Sequence, residues 1–533
     1  MLLALASTPA SLSSTHSTNA WTKVVSGGFG DSSNVYGPGV AEFDDHLYVG
    51  TMKVGYRAGI EGATTTLNTG GEIWRTYDGI GWEQIGADGL GNPNNQAIRL
   101  VTFKNKLYAG TPNFNEGLEI WVSSDGRKFT QMISKGFGDK DNMDCSFTVY
   151  MDRLIVSTFN VRKGMEIWVL EDGDRFERVV QGGLGDSGNT GPAYYLHPGG
   201  HLASQIITFK GLLYVGTINP TSGGEIWRTS DELRWERVAD NGLTSPSYPE
   251  LIPAIVFRDQ LYVIATNRIS SDTYGGIQVF RSSDAKNWER VVEDGFGFGA
   301  RNNIAGTLYE FDGALYLITN NQDRRVLTHP PVETSPPKGF QLWTSRDGKS
   351  WTQVIEPGFN NDNNIVASML AHDGSLYIGT ENYRDGSELW RSKDSRNWEM
   401  IFKEKPGTIY NQGAEVIVFK SYLYVFISNL WNGLEAWRHG PIETVRQTTT
   451  AEVGTTSTQA TSTQTFPLEG STTSNRMLIM GALAAIIIAA IAVVALKFRK
   501  KQVGVDRYKF CIECGNQLPV ETEFCPKCGQ RQS

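Results

Sequence analysis

This sequence has almost no means of making a disulfide in its main body. Of its five cysteines, four lie in the last 23 residues and Cys145 stands alone. Stability of the large region must come from a buried core, and a region of this size can bury enough surface to supply it. A basic excess is missing as well. The net charge is −8; after Leu496 eight basic residues face four acidic ones, so the tail is about +4 and the rest about −12. Phosphate binding needs a basic footprint, so nucleic acid is not expected as a partner of the main body. No nucleotide-binding glycine loop and no Ser/His/Asp spacing stand out. Few stretches carry a helical period. What is abundant instead is Gly (58 residues) and aromatic side chains (11%), which favour short strands with tight turns.

Long apolar runs are missing with one exception, "MLIMGALAAIIIAAIAVVAL" at 477–496, followed at once by "KFRKK". Twenty helical residues at about 1.5 Å rise span about 30 Å, the hydrocarbon thickness. Clustered Lys and Arg mark the cytoplasmic side. The sequence therefore predicts one transmembrane helix over 476–497, a basic juxtamembrane segment over 498–509, and everything N-terminal outside the cell membrane. Residues 1–20 have a short apolar run and then small polar residues, like the end of a secretory signal. Residues 441–475 hold 16 Ser or Thr and almost no large apolar side chains; they read as an extended stalk.

The segment 510–529, "FCIECGNQLPVETEFCPKCG", pairs Cys511 with Cys514 and Cys525 with Cys528 in two CxxCG knuckles. This spacing places four thiolates around one tetrahedral Zn2+, and metal binding then supplies the folding free energy of so short a piece. With Phe510 and Phe524 before the knuckles and Gly515 and Gly529 after them, the segment resembles the short zinc-ribbon family. Its expected role is to dock a cytoplasmic protein partner.

The main body, 21–440, repeats. "GGEIWRTYDGIGWEQI" (70–85) returns as "GGEIWRTSDELRWERV" (223–238), and a short strand of the form "LYVG" recurs at Tyr48, Tyr108, Ile155, Tyr214, Tyr262, Tyr316, Tyr377 and Tyr424. Each copy carries four strand-like pieces. Four short strands repeated eight times predict an all-β fold, an eight-bladed β-propeller. The eighth copy ends at "GLEAWRH" without its fourth strand, and "WTKVV" (21–25) supplies a matching strand at the other end of the chain. The fold is thus expected to close through its N-terminal strand.

Between the third and fourth pieces, an Asp stands four residues before a Trp or Phe: Asp78, Asp125, Asp172, Asp231, Asp284, Asp347 and Asp394. A carboxylate there accepts backbone N–H groups of a tight hairpin, so these acids are expected to be structural. The hairpins resemble those of Asp-box, sialidase-like propellers shortened by one residue, with a kelch-like touch in Gly70-Gly71 and Gly223-Gly224; the WD signature is missing. Sialidase-like catalysis uses an arginine triad with a tyrosine–glutamate pair, and an enzyme reading would need these. Here Arg75, Arg228, Arg281, Arg391 and Arg438 recur after Trp and read as packing residues.

In such a fold the fourth-to-first and second-to-third loops share one rim. "GFGDSSN" (28–34) and its relatives place Asn34, Asn95, Asn142, Asn189 and Asn364 there. A second set follows the "LYVG" strand: Asn113, Asn160, Asn219, Asn267, Asn320, Asn382 and Asn429. One reading is a polar funnel for a sugar, a peptide or Ca2+; the other is that each side chain caps its own turn. Departures from the repeat are better guides to binding: the insertions at 53–70, 188–204 (with His197 and His201) and 321–339 (with Arg324 and Arg325, suited to a carboxylate). The function expected is surface recognition or adhesion through a glycan or protein ligand. The alternatives are a tethered glycan hydrolase or lyase, or a structural surface-layer component.

Overall fold

The computed structural model describes residues 21–53, 69–150, 152–171, 175–197, 201–204, 206–266, 275–298, 303–321, 338–382, 384–404, 411–429, 432–441, 508–510 and 517–519. They fall in two compact units, residues 1–483 and 484–533.

The described residues of the first unit are built of β-strands. Its described residues form eight four-stranded antiparallel meanders, called sheets 1 to 8 here: 34–85, 99–133, 144–180, 206–239, 250–292, 305–353, 366–403, and 411–439 completed by Thr22–Val25. Sheets 4 and 5 are linked by one further pairing, Ile218 with Glu250. The eight "LYVG" positions all fall on second strands and are buried. Those strands read as nearly continuous apolar runs, as in "HLYVGTMK" and "QLYVIAT", and are buried along almost their whole length. This follows from sheets stacking face to face, which covers both surfaces of a middle strand. Fourth strands such as "ERVV" lie at sheet edges, exposed at their first two residues and buried at their last.

First and second strands join through two-residue turns with both residues at positive φ, for example Asp44 (46°) and Asp45 (57°), or Arg258 (47°) and Asp259 (58°). This is the type I′ geometry that matches strand twist.

The N-terminal strand takes the place the sequence assigned to it. Thr22 pairs with Arg438 and Lys23 with Trp437, antiparallel to Glu435–His439. The Trp21 indole donates to the Ile401 carbonyl at 2.7 Å and the ring stacks on His439 at 4.9 Å. First strands pack against their neighbours: Asn34–Phe43 meets Arg99–Phe103 of sheet 2 on one side and Tyr422–Asn429 of sheet 8 on the other.

In the second unit, Tyr508–Phe510 pairs antiparallel with Gln517–Pro519, Phe510 opposite Gln517. The stalk, the apolar run 477–496 and all four ribbon cysteines lie outside the described residues. No helix among the described residues is long and apolar enough to cross a membrane.

Candidate functional site

The two sets of loops do share one face of the first unit. The Asn113 amide donates to Asn95 Oδ1 at 3.0 Å, Asn160 to Asn142 at 3.0 Å, Asn219 to Asn189 at 3.1 Å and Asn382 to Asn364 at 2.8 Å.

In sheets 1 to 7 the loop before the first strand is a left-handed knot. Gly28 and Phe29 have φ of 61° and 64°, and a Cβ on Gly28 would come within 2.7 Å of the Asn34 carbonyl. The bulky residue held in this costly conformation stacks on the third-strand tryptophan: Phe29 on Trp74 at 4.7 Å, Phe137 on Trp168 at 4.2 Å, Phe296 on Trp343 at 3.8 Å, Phe359 on Trp390 at 4.1 Å. Packing area thus offsets the strain.

Beneath the knot of sheet 1 lies a buried latch. Asn34 donates one amide hydrogen to the Gly28 carbonyl (2.9 Å) and the other to Glu72 (2.8 Å), and accepts from Thr51 Oγ1 (2.7 Å). Trp74 Nε1 donates to the same Glu72 oxygen. Asn95, Asn142, Asn189 and Asn364 repeat the arrangement with Glu119, Glu166, Glu225 and Glu388. All five asparagines are 0% exposed. The expectation that they line a ligand funnel is therefore corrected: both amide hydrogens are spent inside the fold, because a buried amide must find internal partners. The second set behaves likewise, with Asn113, Asn160, Asn219 and Asn382 each accepting two backbone N–H groups of their own turns.

Sequence spacing missed three members of the series. Asn303 is a sixth latch, donating to the Gly295 carbonyl and to Gln341; its loop is two residues longer, which hid it. In sheet 5 Tyr248 stands at that position, its hydroxyl bonded to the Gly276 carbonyl and the Gln278 amide. In sheet 6 the corresponding asparagine is Asn321, one residue beyond the Asn320 that sequence spacing selects; it accepts from the Asn303 backbone N–H and donates to the carbonyls of Lys338 and Gly339.

The Ca2+ reading of these loops is not supported by the geometry. Asp31, Asp139 and Asp186 each give one carboxylate oxygen to a loop N–H. The other oxygen goes to Lys53, Lys163 and Asn219 respectively. Among the described residues, no three His, Cys, Asp or Glu side chains are grouped to hold a metal ion.

Sheet 1 departs from the repeat at one position. Lys53 replaces the turn-capping asparagine and is 1% exposed, with its Nζ 2.7 Å from Glu72, 2.9 Å from Asp31 and 3.2 Å from Asp88. Burial alone would lower its pKa, but the carboxylates outweigh that and hold the ammonium well above its ordinary range. Nearer the first strands, Arg99 of sheet 2 clamps Asp144 of sheet 3 at 2.7 and 3.0 Å. Burial pushes the Asp144 carboxyl up even so, and burial raises Glu415 well above the usual carboxylate range.

The hairpin acids are structural, as expected. In the six described hairpins the Asp accepts two backbone N–H groups, for Asp125 those of Arg127 and Lys128 at 2.8 Å each. Those bonds bring the Asp125 pKa down to about 2. Asp172 lies outside the described residues. The recurring arginines pair within their sheets, Arg75 with Glu83, Arg228 with Glu236, Arg281 with Glu289 and Arg391 with Glu399; they do not converge on a triad. His197 and His201 fall opposite each other on a hairpin inserted in sheet 4. Arg324 and Arg325 lie outside the described residues.

Residues 510–531 match the family model of the zinc-ribbon domain. The donor set suits the metal: two CxxC pairs are the S4 ligand chemistry of structural zinc. The first pair, Cys511 and Cys514, falls between the two paired strands of this unit. Cys511, Cys514, Cys525 and Cys528 would hold the zinc, which would neutralise their thiolates and supply folding free energy to so short a segment.

No curated protein matches the chain. Among solved structures, the BP39L lectin from Burkholderia pseudomallei shares 10% identity over 70% of this chain and 97% of its own, with a TM-score of 0.40. The polysaccharide lyase Uly1 shares 10% over 79% and 98%, TM-score 0.38. The exo-β-1,3-galactanase 1,3Gal43A from Clostridium thermocellum shares 12% over 76% and 93%, TM-score 0.30. The described residues of the first unit thus form antiparallel β-sheets, and residues 510–531 are similar to the zinc-ribbon domain.

Proposed function

We propose that the eight sheets close into an eight-bladed propeller, built of shortened Asp-box-like hairpins, that recognises a glycan or a protein ligand at a cell surface. Closure is supported by the Lys23–Glu435 ion pair at 2.7 Å, which repeats in sheet 8 the Arg237–Glu225 pair of sheet 4, and by the packing of sheet 8 on sheet 1. Surface display rests on the sequence: the stalk at 441–475, the apolar helix at 476–497 and the basic residues after it. The zinc ribbon then faces the cytoplasm and docks a partner there.

One observation carries the choice of binding over catalysis. The repeated polar side chains of the rim are consumed by the latch, and the repeated acids and arginines are consumed by their own hairpins and sheets. Recognition is left to the segments that break the repeat, 53–70, 188–204 and 321–339. The test is to present the full chain in lipid nanodiscs to glycan and protein arrays. Binding that is lost when these insertions are shortened, with no product released, is the expected result. Turnover of a glycan substrate would replace this reading with a tethered hydrolase or lyase. No binding at all would point to a surface-layer component.

A further inference from the structure

The hairpin that joins third and fourth strands leans on the preceding sheet. In three junctions a basic residue two positions after the hairpin Asp reaches the fourth-strand Glu of that sheet: Arg127 to Glu83 at 3.2 Å, Lys286 to Glu236 at 3.7 Å and Lys349 to Glu289 at 2.5 Å. The third-strand Arg of the preceding sheet donates to the carbonyl of the hairpin Asp, Arg228 to Asp284 at 3.4 Å and Arg281 to Asp347 at 3.2 Å. Tyr262 Oη adds a bond to the Gly348 carbonyl at 3.2 Å. A tight turn is thus held by a guanidinium, a carboxylate and a phenol.

Sheet 7 carries the same three residues, Tyr377, Arg391 and Glu399, but the sheet after it has no such hairpin. Sheet 8 takes its third strand from Glu435–His439 and its fourth from Thr22–Val25, so no turn joins them. The two sheets do adjoin: Trp21 donates to the Ile401 carbonyl, and the Phe402 and Trp437 rings lie 5.5 Å apart. Trp21 stacks on His439 where the hairpin would spring from its strands. Burial and the nearby Arg391 charge both lower the His439 pKa, which places the guanidinium at this seam. A cleft of about 250 Å3 opens here, lined by Arg391, Asp394, Trp398 and Glu399 among others. Arg391 bonds to Glu399 of its own sheet, and the Glu399 side chain is 58% exposed. Among the described residues, no second cation reaches that carboxylate and no carbonyl of sheet 8 reaches Arg391.

We propose that this cleft is a docking site for a tight turn of a partner polypeptide, which presents a backbone carbonyl to Arg391 and a Lys or Arg side chain to Glu399. The chemistry is that used inside the molecule at the other junctions, supplied by a second chain. The receiving groups stand on a packed sheet, so little ordering cost falls on this side of the contact. A charge of each sign fixes the direction in which the turn enters. The cleft lies at the end of the sheets that carries the hairpins, opposite the latched loops. It requires only that sheet 7 pack on sheet 8, and stands whether or not the eight sheets close.

The test uses the full chain in lipid nanodiscs and a labelled, backbone-cyclised peptide with the sequence of residues 344–352, TSRDGKSWT, followed by fluorescence anisotropy. Saturable binding to wild type is expected. Glu399→Lys should weaken it about tenfold, because like charges then meet. A peptide carrying Lys349→Glu should bind wild type about tenfold more weakly and regain affinity for the Glu399→Lys chain. Recovery in the swapped pair also shows that the variant is folded. No saturable binding to wild type overturns the proposal, as does a swapped pair that binds no better than the mismatched ones. Binding that appears only when residues 442–450 are deleted would assign the cleft to the chain's own continuation and overturn it equally.

Discussion

Lys23 Nζ lies 2.7 Å from Glu435 Oε2, and the two residues belong to opposite ends of the repeat region. Lys23 follows Trp21 by two positions, as Arg237 follows Trp235, and Arg237 bridges Glu225 at 2.7 Å in sheet 4. The N-terminal strand is therefore a fourth strand like the others, supplied from a distance. Deleting residues 1–25 should cost at least about 2 kcal/mol, given that Val25 is buried, and should leave Glu435–His439 as an open edge that pairs with other copies. Urea denaturation and light scattering read the two effects. An unchanged midpoint would show that the strand contributes nothing.

A second prediction tests whether sheet 8 meets sheet 1 as sheet 1 meets sheet 2. A Cβ on Gly126 would fall 1.9 Å from Tyr48 Oη, and one on Gly79 would fall 1.7 Å from Tyr424 Oη. Both glycines have positive φ (65° and 73°). Gly79→Ala should destabilise by about 1–3 kcal/mol, and Tyr424→Phe should recover part of that. The same cycle on Gly126 and Tyr48 should give a similar coupling energy. Coupling at one junction without the other would break the equivalence of the sheets.

Asn142→Ala removes two donated hydrogen bonds and leaves the Gly136 carbonyl and Glu166 short of partners in a buried place. The expected loss is about 1–3 kcal/mol per unsatisfied group, read by thermal or urea unfolding. A latch residue shows this loss in the absence of any ligand. A variant of wild-type stability would return Asn142 to the list of surface contacts.

Lys53→Met should cost about 3–5 kcal/mol, because it strands Glu72 beside two further acids. Lys53→Met/Glu72→Gln should recover part of it. The pKa of Lys53 is raised in the folded state, so its contribution is fully present below the ordinary lysine value of 10.5 and is lost as pH rises through the higher folded value. The stability gap between wild type and Lys53→Met should stay level from pH 7 to about 10 and narrow only above that. A gap that closes between pH 7 and 9 would contradict the assignment.

For the hairpins the sign is opposite. Asp125 titrates near 2 in the fold against 3.8 unfolded, so its contribution is present above 3.8 and disappears as pH falls toward 2. Asp125→Asn should flatten the acid side of the stability curve between pH 4 and 2, measured by chemical unfolding at each pH. A curve that falls as steeply as wild type would count against the assignment.

Much of the architecture was legible because a repeat is its own alignment. The second-strand position of each "LYVG", the strand at Thr22–Val25 and the role of the hairpin aspartates all follow from patterns that recur with small changes. What escaped has physical causes. Asn303 sits behind a loop two residues longer, so a fixed spacing skips it. Asn321 was displaced by an adjacent Asn320 that looks identical in sequence. Lys53 reads as the start of an insertion, since its three partners are 22, 19 and 35 residues away and no local rule joins them. The rim asparagines were visible as a pattern, but a pattern of polar residues does not tell burial from exposure; the carboxylates they bond lie 24 to 38 residues further on.

Trp21 rests on His439, and Thr22 lies opposite Arg438. The polypeptide therefore arrives and departs at neighbouring points of one sheet. A short tether could join residue 440 to residue 21, and new ends could be opened in the connection between any two sheets. A circularly permuted gene of this kind should yield the same fold, with the seam moved and every latch retained.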